Sequence, residues 1–282
     1  MLSGVEIWWL TLSVVSLANI AALLYSALVF VRRKACIAPD TYHWRRLMLW
    51  LSGGYVIGCA FRSFLPRIDL ERVCLLDSWL SSMLVGRSVA TVAELCFIAQ
   101  CAILLREAGS SVEDRFAVTA SRALIPMIII AEGFSWYAIA STNYVASVVE
   151  ESIWTMAGIM LTASFISLWP RFTGIQRHFF SSMIVFGVGF IVFMVAVDVP
   201  MYWTRWQQDA ALGLDYLPFI TGIQDTSRDC TVSFQWQDWQ QEIPWMTLYF
   251  TVAVWVSIYL PHAPAFSFSR SIRRHKTVTS YR

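Results

Sequence analysis

Apolar residues run along this chain in long unbroken blocks rather than in alternation. Seven blocks, approximately 7–31, 47–65, 80–105, 123–143, 148–169, 179–203 and 244–261, are continuous enough to cross a bilayer, which takes roughly 20 residues as a helix. The dyad repeat of a membrane β-barrel is missing, so helices are the predicted spanning form. The pattern therefore predicts an all-α, polytopic seven-helix bundle forming a single domain. The first block is read as a retained helix, because it is longer than the apolar core of a cleaved leader.

The polar segments between the blocks are unequal. Segments 32–46, 106–122, 170–178 and 262–282 hold 15 of the 21 basic residues, and the opposite set holds only Arg67, Arg72, Arg205 and Arg228. Lys and Arg accumulate on the cytoplasmic side of membrane proteins. The expectation is an N-terminus outside, a C-terminus inside and a basic cytoplasmic tail over 263–282, in a plasma or inner membrane. One loop is long, 204–243, and it carries Trp206, Trp236 and Trp239. That aromatic content opposes disorder, so the loop is expected to be a structured lid over the outer helix ends.

Composition sharpens the assignment. The chain of 282 residues is 57% hydrophobic and 14% charged, with a net charge of only +2. Soluble domains are about 25% charged, so the bilayer is the expected partner and nothing calls for nucleic acid. Of six cysteines, only Cys74 and Cys230 fall on the expected outer face. A disulfide between them, tying the long loop to the connection between the second and third helices, follows from the oxidising compartment.

The unusual chemistry lies inside the blocks. Arg62, Arg87, Glu94, Glu132 and Asp198 are ionisable groups in apolar surroundings, with Glu150 and Glu151 at an outer edge. Arg87 and Glu94, in "VGRSVATVAELCFIAQ", are seven residues apart and share one helix stripe with Thr91. Glu132 and Trp136 share another. Pro200, just after Asp198, is expected to disturb its helix. Intramembrane charges normally face a protein interior or an aqueous cavity. The expectation is one outward-opening polar pocket of Arg62, Arg87, Glu94, Glu132, Trp136 and Asp198, capped by Trp206, Trp236 and Trp239.

Three functions are compatible with such a pocket. The first is a binding protein of sensor or transporter type, taking a small polar ligand, an ion or a lipid headgroup. The second is an integral membrane enzyme, with arginines holding an anionic group and carboxylates as acid and base. The third is a subunit whose buried charges tie helices together and whose outer loop docks on a membrane-protein partner. Other chemistries are excluded. The only lysines are Lys34 and Lys276, outside the last helix, so covalently bound retinal is not expected. His43, His178, His262 and His275 form no HExxH and no CxxC is present, so no metal site is expected. The cofactor is left unassigned.

Overall fold

A computed structural model describes residues 2–228 and 230–266 of the chain. The expected basic tail, with His275 and Lys276, lies almost wholly outside the described residues.

Seven helices are long and apolar enough to cross a membrane. They are α1 (Gly4–Arg32), α2 (Pro39–Phe64), α3 (Met83–Ser111), α4 (Arg115–Ser141), α5 (Tyr144–Leu168), α6 (Gly174–Leu212) and α7 (Ile243–His262). Several start at a side chain that accepts from an otherwise unpaired backbone N–H of the first turn. Ser3 and Glu6 form a capping box on α1. Ser82 caps α3, Asp114 caps α4 and Asn143 caps α5.

The helices extend past the apolar blocks. α2 begins at Pro39 and α4 at Arg115, each eight residues before its block. Hydropathy marks only what can face lipid, whereas the helix continues to the next cap or proline. For the same reason α6 runs on to Leu212, taking the first part of the expected outer loop into a helix that ends at Gly213 in the left-handed conformation. The disturbance expected at Pro200 takes the form of a π-helical turn over Met194–Asp198. A second π turn, over Tyr249–Ala253, interrupts α7.

Neighbouring helices pack in sequence from α1 to α6. α7 packs mainly on α1 and α2 and meets α6 where Phe179 lies against Tyr259. α6 leans on α5, so a slot remains between α6 and α7, floored by α3 and α5. Gly58 brings α2 tight against α3: a Cβ there would lie 2.7 Å from that of Ala93. Small residues allow this close approach between apolar helices.

One apolar core, including Leu104, Leu105, Leu124, Leu168 and Phe180, fills the bundle at the end where α3 meets α4. A second joins α1, α2 and α7 through Leu12, Tyr55, Phe250 and Val254. At the opposite end lies a structure that apolar periodicity does not reveal. Strands β1 (Arg67–Ile68), β2 (Val73–Cys74) and β3 (Thr231–Val232) form a small sheet. β1–β2 is an antiparallel hairpin, and β3 adds parallel to β2 with Cys74 opposite Val232. The Cys74–Cys230 disulfide anchors this sheet, as expected from compartment and location. Trp239 is fully buried beside Trp8, with ring centroids 5.9 Å apart.

Candidate functional site: a charged chamber continuous with an apolar slot

Arg87 sits one turn into α3 and is 6% exposed. Its Nη2 is 2.7 Å from Glu132 Oε2, 3.2 Å from Glu94 Oε2 and 3.3 Å from Glu150 Oε1. One nitrogen thus joins α3, α4 and α5. The seven-residue spacing places Arg87 and Glu94 two turns apart on one stripe, and an extended arginine covers that distance. Thr91, between them, donates to Glu132 at 2.6 Å and accepts from Trp136 Nε1 at 3.1 Å. Tyr249, in the π turn of α7, donates to Glu94 Oε1 at 3.2 Å.

The hairpin brings a second group of charges. Arg67 is buried, and its Nε donates to Asp69 Oδ1 at 2.7 Å. Arg62 Nη2 lies 3.7 Å from Asp69 Oδ2, and the Arg62 guanidinium stands 5.5 Å from the Trp245 ring centroid. Arg67 occupies the space where Gly86 lacks a side chain: a Cβ there would fall 1.3 Å from the guanidinium carbon. Neither Nη1 nor Nη2 of Arg67 meets a protein acceptor. A left-handed Arg72 (φ 57°) turns the hairpin. Arg72 is held by Asp225 at 3.1 Å and by the carbonyl of Ile139 at 2.8 Å.

Ionisation of the hairpin follows from these contacts. Burial pushes the Arg67 guanidinium down to about 10; Asp69 opposes the shift, while Arg62 and Arg87 add to it. Burial also works against an ionised Asp69, but Arg67, Arg62 and Arg87 together hold its carboxyl below the usual range. Burial raises Glu71, with repulsion from Glu242 adding and Arg205 opposing. Arg205 Nη1 bridges the last two acids, 2.9 Å from Glu71 and 2.6 Å from Glu242.

These groups surround one cavity of about 500 Å³, within the usual ligand-pocket range of about 300–1,000 Å³. Its charged end is lined by Arg62, Arg67, Arg87 and Arg205 and by seven acids that include Glu94, Glu150, Glu151 and Asp198. Glu132 bonds in from behind Arg87, making eight acids to four arginines among the described residues. Glu94 and Glu132 both lie on Arg87 Nη2, and Glu151 and Asp198 line the same end of the cavity. Away from the charges, the cavity continues between α6 and α7 along Phe165, Met183, Phe186, Phe190, Val256 and Leu260.

Of the residues expected here, Arg62, Arg87, Glu94 and Asp198 line the cavity, and Glu132 and Trp136 back it through Arg87 and Thr91. Arg62 pairs with Asp69 of the hairpin rather than with the acids around Arg87. Trp206, Trp236 and Trp239 are not in the wall of the cavity. Trp206 lies against Trp203, Trp236 covers Gly4, and Trp239 anchors the loop on α1. The cap is instead made by the hairpin with Tyr202, Arg205, Glu242 and Trp245. Arg67, Asp69 and Glu71 went unrecognised because they sit in a short polar connection, where charge is ordinary. The alternating charge of "RIDLER" was the available signal.

The chain matches no family model, no curated protein and no solved structure, so its function rests on this chamber alone.

Proposed function

We propose that this is a multi-pass membrane protein of the binding type, a sensor or transporter, whose charged chamber receives a ligand from the outer side. In this reading the hairpin, the disulfide and the long loop are outside and the C-terminal tail is cytoplasmic. The distribution of Lys and Arg supports that orientation, and so does a disulfide at the opposite end from the basic segments.

The observation that carries the binding role is Arg67. It is paired with Asp69 through Nε alone; its two terminal nitrogens lie against Gly86 without a protein acceptor, and its side chain forms part of the cavity wall. A guanidinium buried for structural purposes alone uses its donors, since an unmet buried donor is costly. Charges that only stitched helices together would also leave no chamber among them. An enzymatic reading has one observation of its own: Glu94, Glu132 and Glu150 converge on one arginine nitrogen, which sets carboxyl groups side by side.

Thermal shift on the purified full chain in lipid nanodiscs tests the binding role. The probes are small water-soluble anions, cations and zwitterions, with inorganic phosphate, ethylamine and phosphoethanolamine as first members. At about 100 times Kd a ligand stabilises the folded state by about 2.7 kcal/mol. The expected result is a rise in melting temperature for at least one anion-bearing probe that Arg67→Gln abolishes. No response to any of them would overturn a small-ligand chamber. Turnover of a bound probe, lost in Glu151→Gln but retained by Glu113→Gln, in the turn between α3 and α4 and outside the cavity wall, would favour the enzyme.

A further inference from the structure

The chamber has two electrostatic halves. On the hairpin side, Arg62 and Arg67 face a single acid, Asp69, and two guanidinium nitrogens of Arg67 have no protein acceptor. On the other side, Glu150, Glu151 and Asp198 gather near Arg87 and Arg205, both already engaged: Arg87 by Glu94, Glu132 and Glu150, and Arg205 by Glu71 and Glu242. One half lacks an anion and the other lacks a cation. The same cavity then leaves the charged zone and becomes apolar.

This apolar arm has the dimensions of a hydrocarbon chain. Between Trp154 and Phe165, both in its wall, α5 rises about 16 Å at ~1.5 Å per residue. One leaflet's share of a hydrocarbon core about 30 Å thick is about 15 Å. The arm runs along the slot between α6 and α7, which is closed at one end by Phe179 on Tyr259 and at the other by Arg205 on Glu242. Its α6 edge is Val185, Phe186 and Phe190, and its α7 edge is Leu248 and Val252, all exposed on the isolated chain. An open edge of this kind admits an apolar chain sideways, without passage through the charged end.

We infer that the occupant is a zwitterionic amphiphile. Its headgroup carries an anionic oxygen group toward Arg67 and Arg62 and an amine toward Glu150, Glu151 and Asp198, and its single apolar chain lies between α6 and α7. This rests on the binding role proposed above and names the class of ligand. An anion alone would leave the acidic half uncompensated, and a cation alone would leave the terminal nitrogens of Arg67 unmet. A headgroup without a chain would leave the apolar arm unused.

Binding is measured on the full chain in detergent, by tryptophan fluorescence and by native mass spectrometry. Four probes are used: a lysophospholipid with a phosphocholine headgroup, an alkyl phosphate and an alkyl trimethylammonium of equal chain length, and chain-free phosphocholine. The lysophospholipid is expected to bind at least about tenfold more tightly than the other three, one decade of affinity. Gly189→Phe blocks the arm without disturbing the fold, because Gly189 lines the cavity and a Cβ there meets nothing within 4 Å. It is expected to abolish the advantage of the chain while phosphocholine still binds, and Arg67→Gln is expected to weaken both. Equal affinity for phosphocholine and the lysophospholipid would overturn the amphiphile and leave the charged chamber standing. Equal affinity of the single-charge amphiphiles would overturn the zwitterion. Failure of all four probes, with wild-type folding intact, would overturn both this inference and the binding role beneath it.

Discussion

Replacing Arg87 with alanine removes the one cation that Glu94, Glu132 and Glu150 share, with bonds of 3.2, 2.7 and 3.3 Å. All four side chains are at most 8% exposed, so removing the guanidinium leaves three crowded carboxylates without the cation they share. Breaking a buried ion pair by removing one partner costs about 3–5 kcal/mol. At about 2–4 °C of melting temperature per kcal/mol in a chain of comparable size, Arg87→Ala should melt about 6–20 °C below wild type. The double variant Arg87→Met with Glu132→Gln removes the worst of the imbalance and should recover at least half of that loss. Its response to ligand should not recover, because Arg87 also lines the cavity. Differential scanning fluorimetry in one detergent reads all three proteins. A single variant melting within about 2 °C of wild type, less than 1 kcal/mol on the same scale, would refute the reasoning. So would a double variant no more stable than the single.

Three other perturbations follow from the hairpin and its anchor. Gly86→Ala drives a methyl group into the Arg67 guanidinium, and should remove ligand stabilisation as fully as Arg67→Gln; an unchanged ligand response would mean that the placement of Arg67 is irrelevant. Loss of the Cys74–Cys230 bridge, which spans 156 residues, should cost about 2–4 kcal/mol, against about 5 from chain entropy alone. Limited proteolysis of Cys74→Ser/Cys230→Ser should then cut within 204–243, and wild-type resistance would contradict this. Asp69 has a lowered folded pKa, so its stabilising effect is present above the ordinary aspartate value of about 3.9. That effect is lost as pH falls through the lower folded value, and Asp69→Asn should flatten this acid limb of the stability profile.

Much of the bundle is legible in the chain because a continuous apolar run of about 20 residues reads as a helix. Arg87, Glu94 and Glu132 stood out by the same rule, since charge is conspicuous against an apolar background. The disulfide was legible from compartment and count. What stayed hidden depended on contacts between distant segments. The hairpin's strands are two residues each, too short for any alternation, and Arg72 reaches the left-handed region without a glycine to announce it. Gly86 reads as an ordinary helix glycine until Arg67 is seen in its place. Aromatic content does not say whether the tryptophans of the long loop cover the chamber or the flank of α1. The π turn at Tyr249–Ala253 lies in "LYFTVAVWV", where nothing local marks it, yet it presents Tyr249 to Glu94.

On the proposed function, the arginines and acids enclose a wet, accessible chamber and are not a dry set of ion pairs. Ser147 lines the cavity and is 2% exposed on the isolated chain. Ser147→Cys exchanges one small polar side chain for another and places a thiol in the charged end. The decisive measurement is its reaction with a membrane-impermeant, water-soluble methanethiosulfonate added to sealed vesicles from the outer side, in a background with Cys36, Cys59, Cys96 and Cys101 replaced by serine or alanine. The account predicts labelling within minutes, and protection by the zwitterionic amphiphile. A thiol that stays unlabelled until the protein is denatured would contradict it.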